Sequence, residues 1–181
     1  MIISISGAHG SGKSTLAKKL AEKLGWPRYY MGGMRREAAQ KRGLTLAEYN
    51  KLGESDPQTD LEVDEYQKFL GETSDNFVIE GRTSWHFIPH SLKIYLDVQE
   101  EEAVKRIFHD LKSRPEEAQL GATIEDVRRI LAERKLSDDL RYRQYFNIEV
   151  YNPKNYDFYL DTTDLTIDES FQAVCEFIAQ H

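Results

Sequence analysis

Residues 2–24 read I-I-S-I-S-G-A-H-G-S-G-K-S-T-L-A-K-K-L-A-E-K-L, and this stretch decides the fold. Ile2, Ile3 and Ile5 form a short apolar run suited to a buried strand. Leu16, Ala17, Leu20, Ala21 and Leu24 then recur at helical spacing, with Lys18, Lys19, Glu22 and Lys23 outside, which predicts an amphipathic helix. Between them, Gly7 to Ser14 (G-A-H-G-S-G-K-S) fits the pattern G-x-x-x-x-G-K-[ST] at every fixed position.

A loop of this composition in this context is built for an anion. Gly7 and Gly12 permit positive φ, so that successive backbone N–H groups turn inward at the positive end of the helix that follows. Gly7, Ala8, His9, Gly10, Ser11, Gly12, Lys13, Ser14 and Thr15 are therefore candidates to cradle a phosphate chain. Lys13 would reach the β- and γ-phosphates, and the Ser14 hydroxyl would ligate Mg²⁺. The plainer alternative is an ordinary glycine turn before a helix, and the strand, loop and helix in sequence weigh against it. The loop specifies a bound phosphate chain and leaves the reaction open.

With 181 residues the chain suits one packed domain with insertions. A net charge of −7, with Lys and Arg interleaved among Asp and Glu throughout, argues against a nucleic acid polymer as partner. Cys175 lies in the helical pattern Phe171, Val174, Cys175, Phe177, Ile178 and reads as core, so neither a disulfide framework nor a Cys-based metal site is expected. No apolar run approaches membrane-spanning length, and the N-terminus is strand-like rather than a signal peptide. A cytoplasmic monomer is expected.

Further along, residues 76–80 (N-F-V-I-E), 92–97 (L-K-I-Y-L-D) and 157–161 (D-F-Y-L-D) read as buried parallel strands, with a weaker one at 28–31. Alternation with helical patterns predicts a three-layer α/β/α sandwich on a parallel sheet of about five strands, of the P-loop NTPase type. Ligands of such sheets collect at the carboxyl ends of the strands, which singles out Gly7–Ser14, Glu80-Gly81-Arg82 and Asp97. The expected core comprises residues 1–32, 73–112 and 148–181. Residues 33–72 and 113–147, helical and highly charged, are expected as insertions covering the site.

The segment 123–147 carries its own argument. Ile124, Val127, Ile130 and Leu131 define a stripe that Arg134, Asp138 and Arg141 continue at ~100° per residue, with Leu136 and Leu140 opposite. Either the helix breaks near Lys135, or these arginines face a polar site.

The order of the pieces resembles the nucleoside monophosphate kinases, and most closely the cytidylate kinase-like family, over nearly the whole chain. The likeness rests on the loop, G-G-M-R-R-E-A-A-Q-K-R-G at 32–43, D-P-Q-T-D-L-E-V-D at 56–64, V-I-E-G-R at 78–82, E-R-K-L-S-D-D-L-R-Y at 133–142 and Y-D-F-Y-L-D-T-T at 156–163. It implies an NMP-binding insertion over 33–72 and a lid over 113–147. It also implies Mg²⁺-dependent phosphoryl transfer from ATP to a nucleoside monophosphate, CMP or dCMP before others.

The same resemblance places Arg36 and Arg82 on the acceptor phosphate, where a guanidinium fork suits two phosphate oxygens. It places Arg134 and Arg141, with Lys13, on the transferring group. Glu80 would hold Mg²⁺-bound water, or else pair with Lys13 or Arg82. Asp60, Asp64 and Gln67, on one helix face, would meet the acceptor, or else form a solvated acidic face. Arg106 would stack on the adenine, or else pair with Glu102 one turn earlier; Arg36, too, could be a solvated helix residue.

The chain departs from the family at Gly33, where an acid and its N-cap are usual. It departs again at T-S-W-H-F-I-P-H over 83–90, and at Asp110, where a second arginine is absent. His9, His86 and His90 show no metal-ligand spacing. No N-K-x-D guanine signature occurs. A related P-loop kinase of another metabolite, or a nucleotide-binding module without transfer, remains the alternative.

Overall fold

The computed structural model describes residues 1–111 and 123–181; residues 112–122, which include the first part of the expected lid, lie outside the described residues. Five strands form one parallel sheet among the described residues: β1 (Ile2–Gly7), β2 (Arg28–Tyr30), β3 (Phe77–Glu80), β4 (Leu92–Asp97) and β5 (Phe158–Asp161), in the order β2-β3-β1-β4-β5. β1 is central and wholly buried, with Ile5 beside Glu80 of β3 and Gly7 beside Leu96 of β4. The loop after β1 thus opens between two strand ends, where an α/β sheet leaves its ligand crevice.

The alternation of β1 assigns its faces. Ile3 and Ile5 join Val78, Ile94 and Leu96 in a core closed by Leu16, Ala17 and Leu20 of helix α1 (Lys13–Leu24) and Val174 of the last helix, α8 (Ile167–Ile178). Ile2, Phe77 and Ile79 pack with Met31 of α2 (Met31–Lys41), Val63 and Leu70 of α4 (Gln58–Thr73), and Ile88. Helix α3 (Leu46–Gly53) stands between α2 and α4, and the short α5 (Ser84–Phe87) follows β3. A third cluster joins α6 (Glu100–Asp110) to α7 (Ile124–Phe146) through Val104, Ile107, Val127 and Leu131.

The helix ends follow local chemistry. Thr166 and Glu169 form a reciprocal capping box at the start of α8, as do Thr45 and Glu48 at α3. α7 opens on the Thr123 side chain, which accepts from the Asp126 N–H, and stops at Asn147 in the left-handed conformation.

Several boundaries differ from the sequence reading. β2 ends at Tyr30 because Met31 already begins α2, so Gly33 sits inside the first turn and the N-cap position is Tyr30. A β-carbon on Gly33 would stand 2.8 Å from the Tyr30 ring, so glycine here lets that ring lie over the helix start. β3 opens at Phe77 because Asn76 takes φ 57° in the preceding turn. α7 runs unbroken past Lys135. Leu136 is 71% exposed, whereas Arg134 is 8% and Arg141 0% exposed, so the arginines face a polar interior and the leucines face solvent.

Gly7 is fixed by crowding: an added β-carbon would lie 2.3 Å from the Leu96 carbonyl oxygen, against strand backbone that cannot yield. Gly7→Ala is expected to cost ~1–3 kcal/mol, as other overpacking changes do. A urea midpoint equal to that of the unaltered protein would show that the loop moves aside freely.

Candidate active site

At the carboxyl edge of the sheet lies a partly open cleft, where α/β sheets leave their ligand crevice. Its walls gather His9, Gly10, Lys13 and Ser14 from the loop, Arg35 and Arg36 from α2, Asp60 and Asp64 from α4, Glu80 and Arg82 from the end of β3, and Arg134 from α7. The loop is held in a curl from within. Gly12 takes φ 82°, the Ser11 hydroxyl donates to the Ala8 carbonyl at 2.9 Å, and Lys13 Nζ donates to the same carbonyl at 3.0 Å. Gly7, Ala8, Ser11 and Gly12 shape this turn from behind the cleft wall, and Thr15 is exposed on α1.

The arginines are distributed by their partners. Arg36 donates to the Tyr30 hydroxyl and lies over that ring, 5.3 Å from its centroid. Arg82 reaches Asp138 Oδ2 through Nε at 2.7 Å, and its Nη2 sits 2.9 and 3.2 Å from the His9 ring nitrogens. Glu80 is paired with Arg28 of β2, a partner the sequence reading did not consider in place of Lys13 or Arg82. Its Oε2 is buried and accepts from no described residue, as is Asp64 Oδ2 on the same cleft.

Along the cleft wall runs a chain of alternating charges, joined from behind by Arg141. Arg35 donates to Asp60; Arg141 donates to both Asp60 oxygens at 2.7 and 2.6 Å and to Asp138 Oδ1 at 2.6 Å; Asp138 in turn meets Arg82. Arg141 is therefore committed behind the cleft, whereas Arg134 lines it. Gln67 also stands behind the wall, its amide shared among Asp64, Thr83 and Ser84. Arg106 makes the i,i+4 pair with Glu102 at 2.9 Å and adds bonds to the Thr162 and Thr163 carbonyls at 2.7 and 2.9 Å, outside the cleft lining.

The electrostatics follow from burial. Burial and the neighbouring Arg82 push the His9 imidazole down to about 3, so it is neutral near pH 7 and is no general acid there. Burial raises the Asp138 carboxyl, but the Arg82 charge, the His9 hydrogen bond and Arg141 outweigh it and hold it well below the usual carboxylate range. Asp64 goes the other way, to about 7, through burial and the Asp60 charge, opposed by Arg35, Lys68 and Arg141.

Sequence reasoning missed four contributors here: Arg35, His9 as a contact of Arg82, Asp138 and Tyr151. Arg35 left a signal, because it lies four residues from both Met31 and Ala39 on the buried stripe of α2. Asp138 lay on the charged stripe of α7 already recognised. Tyr151 left none, since it comes from the loop after α7. The unmatched segment 83–90 turns out to support the site: Thr83 and Ser84 hold Gln67, and Trp85 and Phe87 meet Tyr156 and Phe146 edge-on.

A parallel sheet with this strand order and an anion loop after its central strand defines a P-loop kinase fold. The same fold is seen in the shikimate kinase of Bacteroides thetaiotaomicron, at TM-score 0.66 and 18% identity over 99% of this chain and 98% of that one. Residues 2–164 match the model of the cytidylate kinase-like family. The chain belongs to that family. It is similar to the cytidylate kinase of Natronomonas pharaonis, 38% identical over 93% of this chain and 84% of that protein. It is likewise similar to that of Methanococcoides burtonii, 34% identical over 90% and 88%. No helix among the described residues is long and apolar enough to cross a membrane.

Between pH 3.8 and about 7 the folded chain retains a proton on Asp64 that the unfolded chain releases, so this group lowers stability as pH rises through that window. Asp64→Asn removes the effect. The gap in Tm between Asp64→Asn and the unaltered protein is expected to widen in favour of the variant from pH 4 to pH 8. A gap independent of pH would show Asp64 to be ionised throughout.

Proposed function

We propose that this chain is a nucleoside monophosphate kinase that transfers the γ-phosphoryl group of ATP to CMP or dCMP, giving the diphosphate. The observation that carries the reading is the convergence of Lys13 and Ser14 with Arg36, Arg82 and Arg134 on one cleft. One anion loop would serve a nucleotide-binding module; a second set of guanidinium groups facing it gives the transferred group an anionic acceptor. The relatives named cytidylate kinases support cytosine as the base.

In this reading the loop amides and Lys13 bind the donor phosphates, and Arg36 and Arg82 hold the acceptor phosphate in line with them. Arg134 adds positive charge where negative charge spreads during transfer. No general base is required, because the nucleophile is an anionic phosphate oxygen. The Ser14 hydroxyl and the Glu80 Oε2, which no described residue satisfies, would hold Mg²⁺ in the same cleft, directly or through water, and the cation would supply positive charge to offset that of the donor phosphates. Asp60, Asp64 and Gln67 belong to the acceptor side. Asp64 faces the ligand, while Asp60 and Gln67 hold its surroundings. Arg141 acts from behind the wall through Asp60 and Asp138. Arg106, tied to the loop after β5, flanks the donor base. The NMP-binding insertion over 33–72 and the lid over 113–147 close on the pair and limit hydrolysis. The enzyme works as a cytoplasmic monomer.

A steady-state screen of CMP, dCMP, UMP, AMP and GMP with ATP and Mg²⁺ tests the reading, with CMP or dCMP expected to give the highest kcat/KM. No diphosphate from any acceptor would sink it. Lys13→Ala is expected to lower kcat by about 100-fold or more, as loss of one donor to the developing charge does elsewhere. Arg82→Ala should act mainly on acceptor KM. If Lys13→Ala abolished turnover while Arg82→Ala left acceptor KM unchanged, a different phosphorylated or hydroxyl-bearing acceptor would be indicated.

A further inference from the structure

Asp138 stands where four segments meet and belongs to none of the phosphate-binding groups named above. Its side chain is 3% exposed on the inner face of α7. Oδ2 forms an ion pair with Arg82 Nε at 2.7 Å, accepts the Tyr151 hydroxyl at 3.0 Å, and lies 3.8 Å from His9 Nε2, while the Arg82 Nε–H donates to the Tyr151 oxygen at 3.3 Å. Oδ1 accepts Arg141 Nη2 at 2.6 Å. Arg141 also takes both oxygens of Asp60, a carboxylate it shares with Arg35, so Asp138 serves Arg141 and Arg82 together.

What Asp138 adds is an orientation for Arg82. A free arginine side chain spreads over many rotamers, and fixing it costs conformational entropy each time a ligand binds. Here Nε is held by Asp138 and Tyr151, and Nη2 lies against His9; contacts with described residues leave Nη1 for the cleft. We propose that Asp138 is the positioning residue of the acceptor site, holding Arg82 in the one attitude that presents its outer edge to the acceptor phosphate. Through Arg141 and Asp60 the same carboxylate ties Arg82 to α4, so the arginine and the acceptor-side helix keep a fixed relation. The proposal rests on the acceptor reading given above.

Kinetics of the unaltered enzyme, Asp138→Asn, Asp138→Glu and Tyr151→Phe, varying donor and acceptor separately, test it. Loss of the carboxylate charge against Arg82 predicts an acceptor KM raised about 10- to 100-fold in Asp138→Asn, with donor KM unchanged. Asp138→Glu should recover part of the loss, and Tyr151→Phe should raise acceptor KM by a smaller factor. If both KM values matched the unaltered enzyme and only the folded fraction fell, the role would be structural and the proposal overturned. A lowered acceptor KM would overturn it too, making Asp138 a competitor of the phosphate for Arg82. Should Asp138→Asn not fold, an unchanged acceptor KM in Tyr151→Phe overturns it instead. Calorimetric titration with inorganic phosphate separates this proposal from the kinase reading. Weaker phosphate binding by the variants, with no turnover of any monophosphate by the unaltered protein, would remove the kinase reading and keep Asp138 as the positioning group. Equal phosphate affinity in all four proteins would remove the positioning role.

Discussion

The site depends on keeping several guanidinium groups out of water without neutralising them. Arg141 has no exposed surface, and Arg35 and Arg134 are each 8% exposed. Charges withdrawn from solvent in this way lose several kcal/mol of hydration each and persist only with carboxylates against them. Asp60 and Asp138 fill that role by standing between arginines rather than beside a single one. A buried chain of this kind adds little to stability compared with an apolar core of the same volume. It fixes geometry: each guanidinium has one orientation in which its partners are satisfied.

That geometry would have no use without the sheet. β1 brings the glycine loop between the ends of β3 and β4, and β3 delivers Glu80 and Arg82 to the same edge. The loop forms one part of the cleft wall and the arginines another. α7 lies beside the cleft and gives its lining Arg134, Asp138 and Tyr142, with Arg141 behind them. Its inside-out character, with buried charge and exposed leucines, follows from this service. A helix that packed its leucines inward would have nowhere to set the arginines.

Much of this was legible along the chain, because it is encoded locally. Strand, loop and helix over residues 2–24 follow from apolar spacing and from glycines whose backbone needs are local. The charged stripe of α7 follows from 3.6-residue periodicity, which placed Arg134, Asp138 and Arg141 on one face before any fold was known. Glu80 and Arg82 were marked out by their position at the end of an apolar strand. Capping at Thr123 and Thr166 is likewise a matter of a few neighbouring residues.

Division of labour among these residues was decided only by tertiary structure. Whether an arginine faces a cleft or is spent on a carboxylate depends on residues far away in sequence: Arg141 meets Asp60 across 81 positions, and Glu80 meets Arg28 across 52. Periodicity gives a face but not what stands opposite it, so Arg134 and Arg141 read alike in the sequence and part company in the fold. The same holds for His9, a variable loop position until Arg82 and Asp138 close around it. By itself the sequence determined an α/β chain with a glycine-rich loop after its first strand and arginines to spare; packing alone chose which of them face the cleft, because desolvation forces each buried charge to take the partner within reach.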